Sequence, residues 1–139
     1  MPGAAVSPAG APTGSAALMI CTYRRPQAFA KLVETIGGLE VPDGLDFSIV
    51  VADNNRESAW DAYIRGPVAE LPWPVHYGHE PNAGYSNARN AAIQVALERT
   101  SSRILLFVDD DMLLSPGWLV GHLASHAEFG CDVVNGRIH

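Results

Sequence analysis

Three consecutive aspartates, Asp109, Asp110 and Asp111, are the residues of this sequence whose type and spacing best suit chemistry. They follow an apolar run at 104–108, which predicts a parallel strand buried on both faces. The carboxylates should therefore emerge at the carboxyl end of a strand, where open α/β sheets bind ligands. Like charges repel unless a cation or hydrogen bonds offset them, and carboxylate oxygens suit Mg²⁺ or Mn²⁺. The cluster predicts a divalent ion that carries phosphate; the alternative is a solvated acidic turn.

Length and composition limit the class of protein. The chain has 139 residues, of which 47% are hydrophobic and 17% charged, and this predicts a soluble globular domain with its own core. The formal net charge of −6 disfavours a nucleic-acid partner, because binding to phosphate backbones needs a basic face. Lys31 is the one lysine among nine cations. The others are arginines, whose rigid fork suits contacts with phosphate or carboxylate.

The cysteines and the first residues bear on where the protein works. Cys21 and Cys131 form no Cys-x-x-Cys pair, which predicts two reduced, buried thiols in a cytoplasmic protein. Residues 1–15 are rich in Pro, Ala and Gly and carry no charged side chain, so we expect a flexible tail rather than a secretory signal. Nowhere do about eighteen apolar residues run together, so we expect no membrane span.

Strand-like and helix-like segments alternate after the tail. Strands are predicted at 16–21, 47–52, 75–77 and 104–108, and a further one should begin near Asp132. Helices are predicted over 29–36, over 58–65 with an end at Gly66-Pro67, along the small-residue face of 88–96, and from Ser115-Pro116 to about Phe129. Repeated βα units predict a three-layer αβα fold with a mainly parallel sheet over residues 16–139.

Polar side chains follow the predicted strands and should meet at one rim of the sheet. Thr22 could hydrogen-bond the edge of a base and Tyr23 could stack on it, with Arg25 close behind. Asp53, after the second strand, could accept a hydrogen bond from a base N–H or a ribose hydroxyl. The alternatives are a turn tyrosine and an Asx-type turn. Because loops at one rim share one cleft, we favour a ligand site.

Another candidate segment precedes the small-residue helix. Asn82 and Gly84 open this helix, so Gly84 could let a ligand approach the backbone and the helix N-terminus could face an anion. The alternative is a loop glycine followed by a capped helix. Arg89 lies in the first two turns, from which it could reach a diphosphate or pair with a surface carboxylate.

With these residues in view, the chain resembles the family 2 glycosyltransferases of the GT-A fold. Four segments carry the resemblance in order and spacing: Cys-Thr-Tyr-Arg-Arg-Pro at 21–26, Val-Ala-Asp-Asn at 51–54, Asn82-x-Gly84 with Ala-Arg-Asn at 88–90, and Phe-Val-Asp-Asp-Asp at 107–111. In such enzymes a nucleotide-diphosphate sugar donor lies over these strand ends.

The resemblance implies a role for each matching position. Thr22, Tyr23 and Asp53 would hold the base. The aspartate cluster would hold the ribose and an Mn²⁺ or Mg²⁺ ion, with Asp111 and Asp109 as the metal ligands. The donor-binding positions as a set are Thr22, Tyr23, Arg25, Asp53, Asn82, Gly84, Arg89, Asp109 and Asp110.

Parts of the family pattern are not expected within this sequence. The acceptor half and the carboxylate that deprotonates the acceptor hydroxyl normally follow the strand beginning near Asp132, so we expect the general base beyond His139. His122, His126 and His139 are not expected to replace it, because a helix histidine is more often packed or solvated than catalytic. A truncated chain, a fragmentary gene model or a degenerate protein that keeps donor recognition would each explain this.

The sequence therefore predicts the donor-binding half of a metal-dependent, inverting glycosyltransferase whose acceptor is a saccharide, lipid-linked or other hydroxyl. The alternative is a non-catalytic sugar-nucleotide-binding or interaction module. A phosphatase of the haloacid dehalogenase type fits less well, because its aspartate pair usually follows the first strand and continues to Thr or Val, whereas Met112 follows Asp111. A P-loop nucleotidase is excluded, because no Gly-x₄-Gly-Lys-Ser/Thr motif occurs.

Overall fold

The computed structural model describes residues 14–129, in which strands and helices alternate. The elements in chain order are β1 (Gly14–Thr22), α1 (Pro26–Gly37), β2 (Leu45–Asp53), a π-helical turn (Trp60–Ile64) that leads into α2 (Arg65–Val68), β3 (Val75–His79), α3 (Tyr85–Arg99), β4 (Ile104–Asp109) and α4 (Trp118–Phe129). The sheet order is β3-β2-β1-β4, and each neighbouring pair is parallel. The predicted α/β fold with a mainly parallel sheet is confirmed.

β1 lies inside the sheet and contributes buried residues to the hydrophobic cluster on each face. Leu18 and Ile20 belong to one buried cluster, whereas Ala17 and Met19 belong to the cluster on the opposite face. This division follows from the two-residue period of a strand. An unbroken apolar sequence is what a strand covered on both faces requires. The predicted strand at 16–21 is therefore confirmed as a buried strand.

Helices cover both faces of the sheet, which gives the three predicted layers. α1, the π-helical turn, α2 and α4 contribute to the larger cluster, and α3 packs on the other face through Ala92, Val95 and Ala96. These small side chains bring α3 close to β3: a Cβ placed on Gly78 would lie 2.7 Å from Val95 Cγ2. Such a distance is closer than side-chain packing allows, so Gly78 is needed at this contact.

Several boundaries differ from the predictions. β1 begins at Gly14 rather than Ala16, because Gly14 and Ser15 already pair with Leu45 and Asp46 of β2. The second helical segment does not end at Gly66-Pro67 but continues to Val68. It can do so because Pro67 lies in the first turn of α2, where a missing N–H is tolerated.

The last helix and the fourth strand also depart from expectation. α4 begins at Trp118 rather than directly after Ser115, because the Pro116 carbonyl accepts a bond from Glu40 N at 2.9 Å instead of serving the helix. In β4, Leu106 and Val108 are buried but Leu105 and Phe107 are only half-buried. The reason is that β4 is an edge strand of the described sheet.

Some predictions concern residues outside the described range 14–129. They are the first thirteen residues of the predicted tail, Cys131, the strand expected near Asp132, and His139. Among the described helices, none has both the length and the apolar character needed to cross a membrane.

Candidate functional site

The carboxyl ends of β1, β2 and β4 lie side by side, as the parallel order requires. Thr22 at the end of β1 is in register with Asp53 of β2, and Cys21 is in register with Asp109 of β4. The polar residues that the sequence places after three separate strands therefore share one rim, and the predicted convergence is observed.

Asp110 joins the loop after β4 to the loop after β1. Its Oδ2 accepts hydrogen bonds from Thr22 Oγ1 at 3.0 Å and from Tyr23 N at 3.1 Å, while its Oδ1 lies 3.7 Å from Arg25 Nη1. Burial raises the pKa of Asp110, and the bonds from Tyr23 and Thr22 and the charge of Arg25 oppose this rise. Asp110 thus fixes the start of the loop that carries Tyr23.

The three aspartates differ in their exposure and in their partners. Asp110 is buried, whereas Asp109 and Asp111 are exposed. Asp111 Oδ2 accepts from Arg25 Nη1 at 2.8 Å, and Asp109 lies beside Cys21 in the sheet register. The charge of Asp111 still raises the pKa of Asp110, and the expected repulsion is offset by the hydrogen bonds to Asp110 and by the Arg25 guanidinium, whose Nη1 faces both carboxylates.

The side chains available as metal ligands decide whether a divalent ion fits this rim. Within residues 14–129, no group of three or more His, Cys, Asp or Glu side chains is placed to hold one metal ion. Mg²⁺ is commonly bound by one or two carboxylates together with water and substrate phosphates rather than by a cage of protein ligands. The exposed carboxylates of Asp109 and Asp111 fit such an ion if it arrives with a diphosphate, and they do not fit a site made of protein ligands alone.

Asp53 is completely buried and its carboxylate is saturated. Oδ1 accepts from Asn55 N at 3.0 Å and from Asn55 Nδ2 at 2.7 Å, and Oδ2 accepts from Ala59 N and Tyr77 Oη at 2.7 Å each. A carboxylate has about four acceptor positions, so a base could bind Asp53 only by displacing one of these donors. The predicted base contact does not fit this geometry; the Asx-type turn, stated as its alternative, is what is observed.

Tyr77 supports this arrangement from β3. Its hydroxyl donates to Asp53 Oδ2 and lies 2.7 Å from Ser58 Oγ. Burial, above all, raises the pKa of Tyr77 to about 12, so the hydroxyl keeps the proton that it donates. Asp53 and Tyr77 together hold the loop that follows β2.

The Tyr23 side chain remains accessible at the rim, with 45% of its surface exposed. The next residue, Arg24, has φ of 54°, which a non-glycine residue rarely adopts. Arg24 N donates to Asn55 Oδ1 at 2.9 Å, and this bond helps to hold the strained conformation. The ring is therefore presented to solvent by a fixed backbone, as stacking on a base would require.

Asn54 fixes the loop that leads into α3. Its Nδ2 donates to the carbonyls of Glu80 at 2.9 Å and Asn82 at 3.0 Å, and its Oδ1 accepts from Gly84 N at 3.1 Å. Gly84 has φ of 144°, which favours glycine. Asn54 thus occupies the Gly84 N–H, and Asn82 and Gly84 shape this loop; the prediction that the N-terminus of α3 faces an anion concerns the following N–H groups and stays a prediction.

Arg89 is held by aromatic rings rather than by a surface carboxylate. Its guanidinium lies 4.4 Å from the ring centre of Tyr85 and 4.5 Å from that of Phe107, and it donates to the Tyr85 hydroxyl. Stacking of this kind orients a cation without neutralising it. The charge of Arg89 therefore remains able to attract an anion at the rim.

Cys21 is a half-buried thiol next to this arginine, and it has no disulfide partner among residues 14–129. Burial raises the pKa of Cys21 to about 11; Arg89 opposes the rise, and Asp109 and Asp110 add to it. The thiol is protonated near neutral pH, so it does not act as a nucleophile.

The histidines of α4 show no arrangement suited to a general base. His122 Nδ1 lies 2.9 Å from the Trp118 carbonyl, and its ring packs on that of Trp118 with centres 4.4 Å apart. His126 is half-buried on the same helix. Neither side chain has a contact with the aspartates among the hydrogen bonds and ion pairs found within residues 14–129.

Three residues of the site were not singled out from the sequence. Asn54 is the last residue of the motif at 51–54 and Asn55 follows it, so a pair of amides after a buried strand was the available signal. Tyr63 lies in a weakly patterned segment, and its contacts with Thr22 and Asn55 depend on the π-helical turn. Sequence spacing gives no indication of that turn.

Comparisons with known proteins agree with this geometry. The sequence model of the family described as "Glycosyl transferase family 2" matches residues 17–139. The succinoglycan biosynthesis protein ExoM of Rhizobium meliloti (strain 1021) is 32% identical over 119 residues, covering 86% of this chain and 37% of ExoM. The chain thus spans well under half of this curated relative.

Solved structures show the same fold. TarS 1–349 of S. aureus superposes with a TM-score of 0.65 at 24% identity, covering 90% of this chain and 38% of TarS 1–349. The mannosyltransferase PcManGT from Pyrobaculum calidifontis, solved with GDP-Man and Mn²⁺, gives a TM-score of 0.70 at 19% identity and covers 88% of this chain and 35% of its own. TarS 1–349 has also been solved with UDP-GlcNAc and with UDP.

Proposed function

The chain belongs to glycosyl transferase family 2, and we propose that it forms the donor-binding half of a metal-dependent, inverting glycosyltransferase. The observation that carries this proposal is the bonding of Asp110 to both Thr22 Oγ1 and Tyr23 N. These bonds bring the loop after β4 against the loop after β1 and leave the Tyr23 ring accessible. A nucleotide could then stack on Tyr23 with its diphosphate directed towards the exposed aspartate and arginines.

We assign each residue near the base a role from the part of its side chain that is accessible and not already hydrogen-bonded. The Tyr23 ring is accessible and would stack on the base. The Thr22 hydroxyl is used by Asp110 and Tyr63, so Thr22 would position the loop rather than contact the base edge. Asp53 would do the same for the loop after β2, because its oxygens already accept bonds from Asn55, Ala59 and Tyr77.

The groups near the predicted diphosphate position would act through charge. Asp110 Oδ1, which lies 3.7 Å from Arg25 Nη1, would accept a bond from a ribose hydroxyl. Arg25 and Arg89 would attract phosphate oxygens, and Arg25 would exchange its contact with Asp111 for one with phosphate. Asp111 and Asp109 would hold the divalent ion. When bound, that ion would offset the charge that develops on the departing nucleoside diphosphate.

The relatives support a nucleotide-sugar donor, but the bases of their donors differ. PcManGT was solved with GDP-Man and Mn²⁺, and TarS 1–349 with UDP-GlcNAc. We propose a saccharide, lipid-linked or other hydroxyl as the acceptor, with the general base outside the described residues. We propose a cytoplasmic location, because the two cysteines of the sequence form no Cys-x-x-Cys pair. The aspartates follow β4 rather than the first strand, so the geometry gives no support to the phosphatase alternative.

We expect donor binding to depend on the metal. Calorimetric titration of the 139-residue chain with the diphosphates of uridine, guanosine and thymidine should show at least one that binds about tenfold or more tightly with Mn²⁺ than with a chelator, because an ion held by Asp109 and Asp111 would offset the charge of the diphosphate. The matched control is the corresponding nucleoside, which lacks phosphate and should show no Mn²⁺ effect. Equal affinity with Mn²⁺ and chelator for all three diphosphates would contradict the proposed metal dependence.

A further inference from the structure

We propose that Tyr63 is a positioning residue for donor binding, which acts on the nucleotide through Thr22 and Asp110. This inference rests on the proposed function, because it concerns the same rim. Tyr63 has no predicted contact with the donor. Its hydroxyl lies 2.9 Å from Thr22 Oγ1 and 2.9 Å from Asn55 Nδ2, so it connects the loop after β1 with the loop after β2.

The direction of each hydrogen bond in this connection is fixed by chemistry. Asn55 Nδ2 can only donate, so the Tyr63 oxygen accepts from it. Thr22 Oγ1 gives its single proton to Asp110 Oδ2 at 3.0 Å, and it must therefore accept the proton of Tyr63. The bonds run in one direction, from Asn55 through Tyr63 and Thr22 to Asp110. Aligned bonds of this kind strengthen one another.

The Tyr63 ring is held where this connection requires it. It packs edge-on against Phe29 of α1, with ring centres 5.7 Å apart and an interplanar angle of 74°. The π-helical turn sets its direction, since Tyr63 N and Ile64 N both bond to the Ala59 carbonyl, at 3.0 and 3.3 Å. Single π-helical turns occur frequently at functional sites. The same turn directs Trp60 onto the Tyr77 ring, with centres 4.8 Å apart.

The polar groups of this connection all have hydrogen-bond partners, so removing the Tyr63 hydroxyl should have a measurable effect. Within residues 14–129, every buried side-chain nitrogen and oxygen has a hydrogen-bond partner. Without the Tyr63 hydroxyl, Asn55 Nδ2 would still bond to Asp53, but Thr22 Oγ1 would lose the donor that fixes its rotamer. Thr22 would then hold Asp110 less firmly, and the start of the loop after β1, which carries Tyr23, would be less well fixed.

A double-mutant cycle separates positioning through Thr22 from a general loss of stability. Tyr63→Phe removes the hydroxyl and keeps the ring on Phe29, and Thr22→Val removes the hydroxyl of Thr22 with little change of volume. Calorimetry would use whichever of the three nucleoside diphosphates binds the unmodified chain best, with Mn²⁺ present. We expect Tyr63→Phe to weaken binding about 3- to 10-fold in the unmodified chain, the scale of one lost hydrogen bond, and less than about twofold in the Thr22→Val background.

The matched control is Ser15→Ala, which removes a buried hydroxyl at the opposite end of β1, where it donates to the Ser101 carbonyl at 2.8 Å and accepts from Arg103 N at 3.1 Å. It should change nucleotide affinity less than about twofold. Equal losses for Tyr63→Phe with and without the Thr22 hydroxyl, or equal losses for Tyr63→Phe and Ser15→Ala, would show a general structural effect and overturn this inference. So would unchanged affinity in Tyr63→Phe. If the unmodified chain bound none of the three diphosphates, the proposed function would fail first, and this inference with it.

Discussion

Replacing Asp53 by alanine should lower the free energy of unfolding by about 3–5 kcal/mol, because the buried donors around it would lose their acceptor. Asn55 N and Ala59 N point into this site and bond to the carboxylate at 3.0 and 2.7 Å. An alanine side chain would leave both N–H groups without a partner. Each such loss costs about 1–3 kcal/mol, and the cavity left by the carboxylate adds to it.

The measurement is urea denaturation followed by circular dichroism, with Asp46→Ala as the matched control. Asp46 lies on the same strand, β2, but it is exposed, so its replacement should change the free energy of unfolding by less than about 0.5 kcal/mol. A loss of under about 1 kcal/mol for Asp53→Ala would mean that the carboxylate does not hold this loop. The assignment of Asp53 as a loop-supporting residue would then be wrong.

Replacing Asp111 by asparagine should remove most of the metal-assisted part of nucleotide binding and leave the fold intact. The substitution keeps the volume but removes a negative oxygen ligand for Mn²⁺ or Mg²⁺. We expect the affinity for the nucleoside diphosphate in Mn²⁺ to fall on the order of 10- to 100-fold, the range seen when metal sites lose a conserved partner. The affinity in chelator should change little.

Asp61→Asn is the matched control for this experiment. Asp61 is also exposed and also pairs with an arginine, Arg65, at 2.8 Å, the same distance as in the Asp111–Arg25 pair. Exposed pairs contribute little to stability, so both variants should keep the circular dichroism spectrum and the melting temperature of the unmodified chain. If Mn²⁺ still strengthens nucleotide binding in Asp111→Asn, Asp111 is not a ligand of the metal. A collapsed circular dichroism spectrum would indicate a structural role for Asp111 instead.

The rim of the sheet could be predicted from the sequence because it depends on strand order alone. Apolar runs identify buried strands, and parallel strands place whatever follows them at one edge. Thr22, Asp53 and Asp110 therefore had to lie near one another in any parallel arrangement of these neighbouring strands. The small residues of α3 likewise indicated close packing on the sheet, which the contact between Gly78 and Val95 bears out.

What each polar group does at the rim could not be predicted, because it depends on the partners that folding brings to it. Asp53 looks like a ligand-binding carboxylate in sequence, but Ala59 and Tyr77 come from six and 24 residues further along to saturate it. Two of the three adjacent aspartates are exposed and one is buried. Tyr63 reaches Thr22 through a π-helical turn that no sequence period reveals.

The central claim is that the carboxyl ends of β1 and β4 form a nucleotide site that also binds a divalent ion. Amide nuclear magnetic resonance of the 139-residue chain, recorded with the best-binding nucleoside diphosphate and then with substoichiometric Mn²⁺, tests it most directly. We predict shifts in the amides of Tyr23, Arg24 and Asp110 on nucleotide addition, and paramagnetic broadening centred on Asp111. Shifts confined to the opposite edge of the sheet, around Ser15 and Arg103, or broadening elsewhere, would contradict the account.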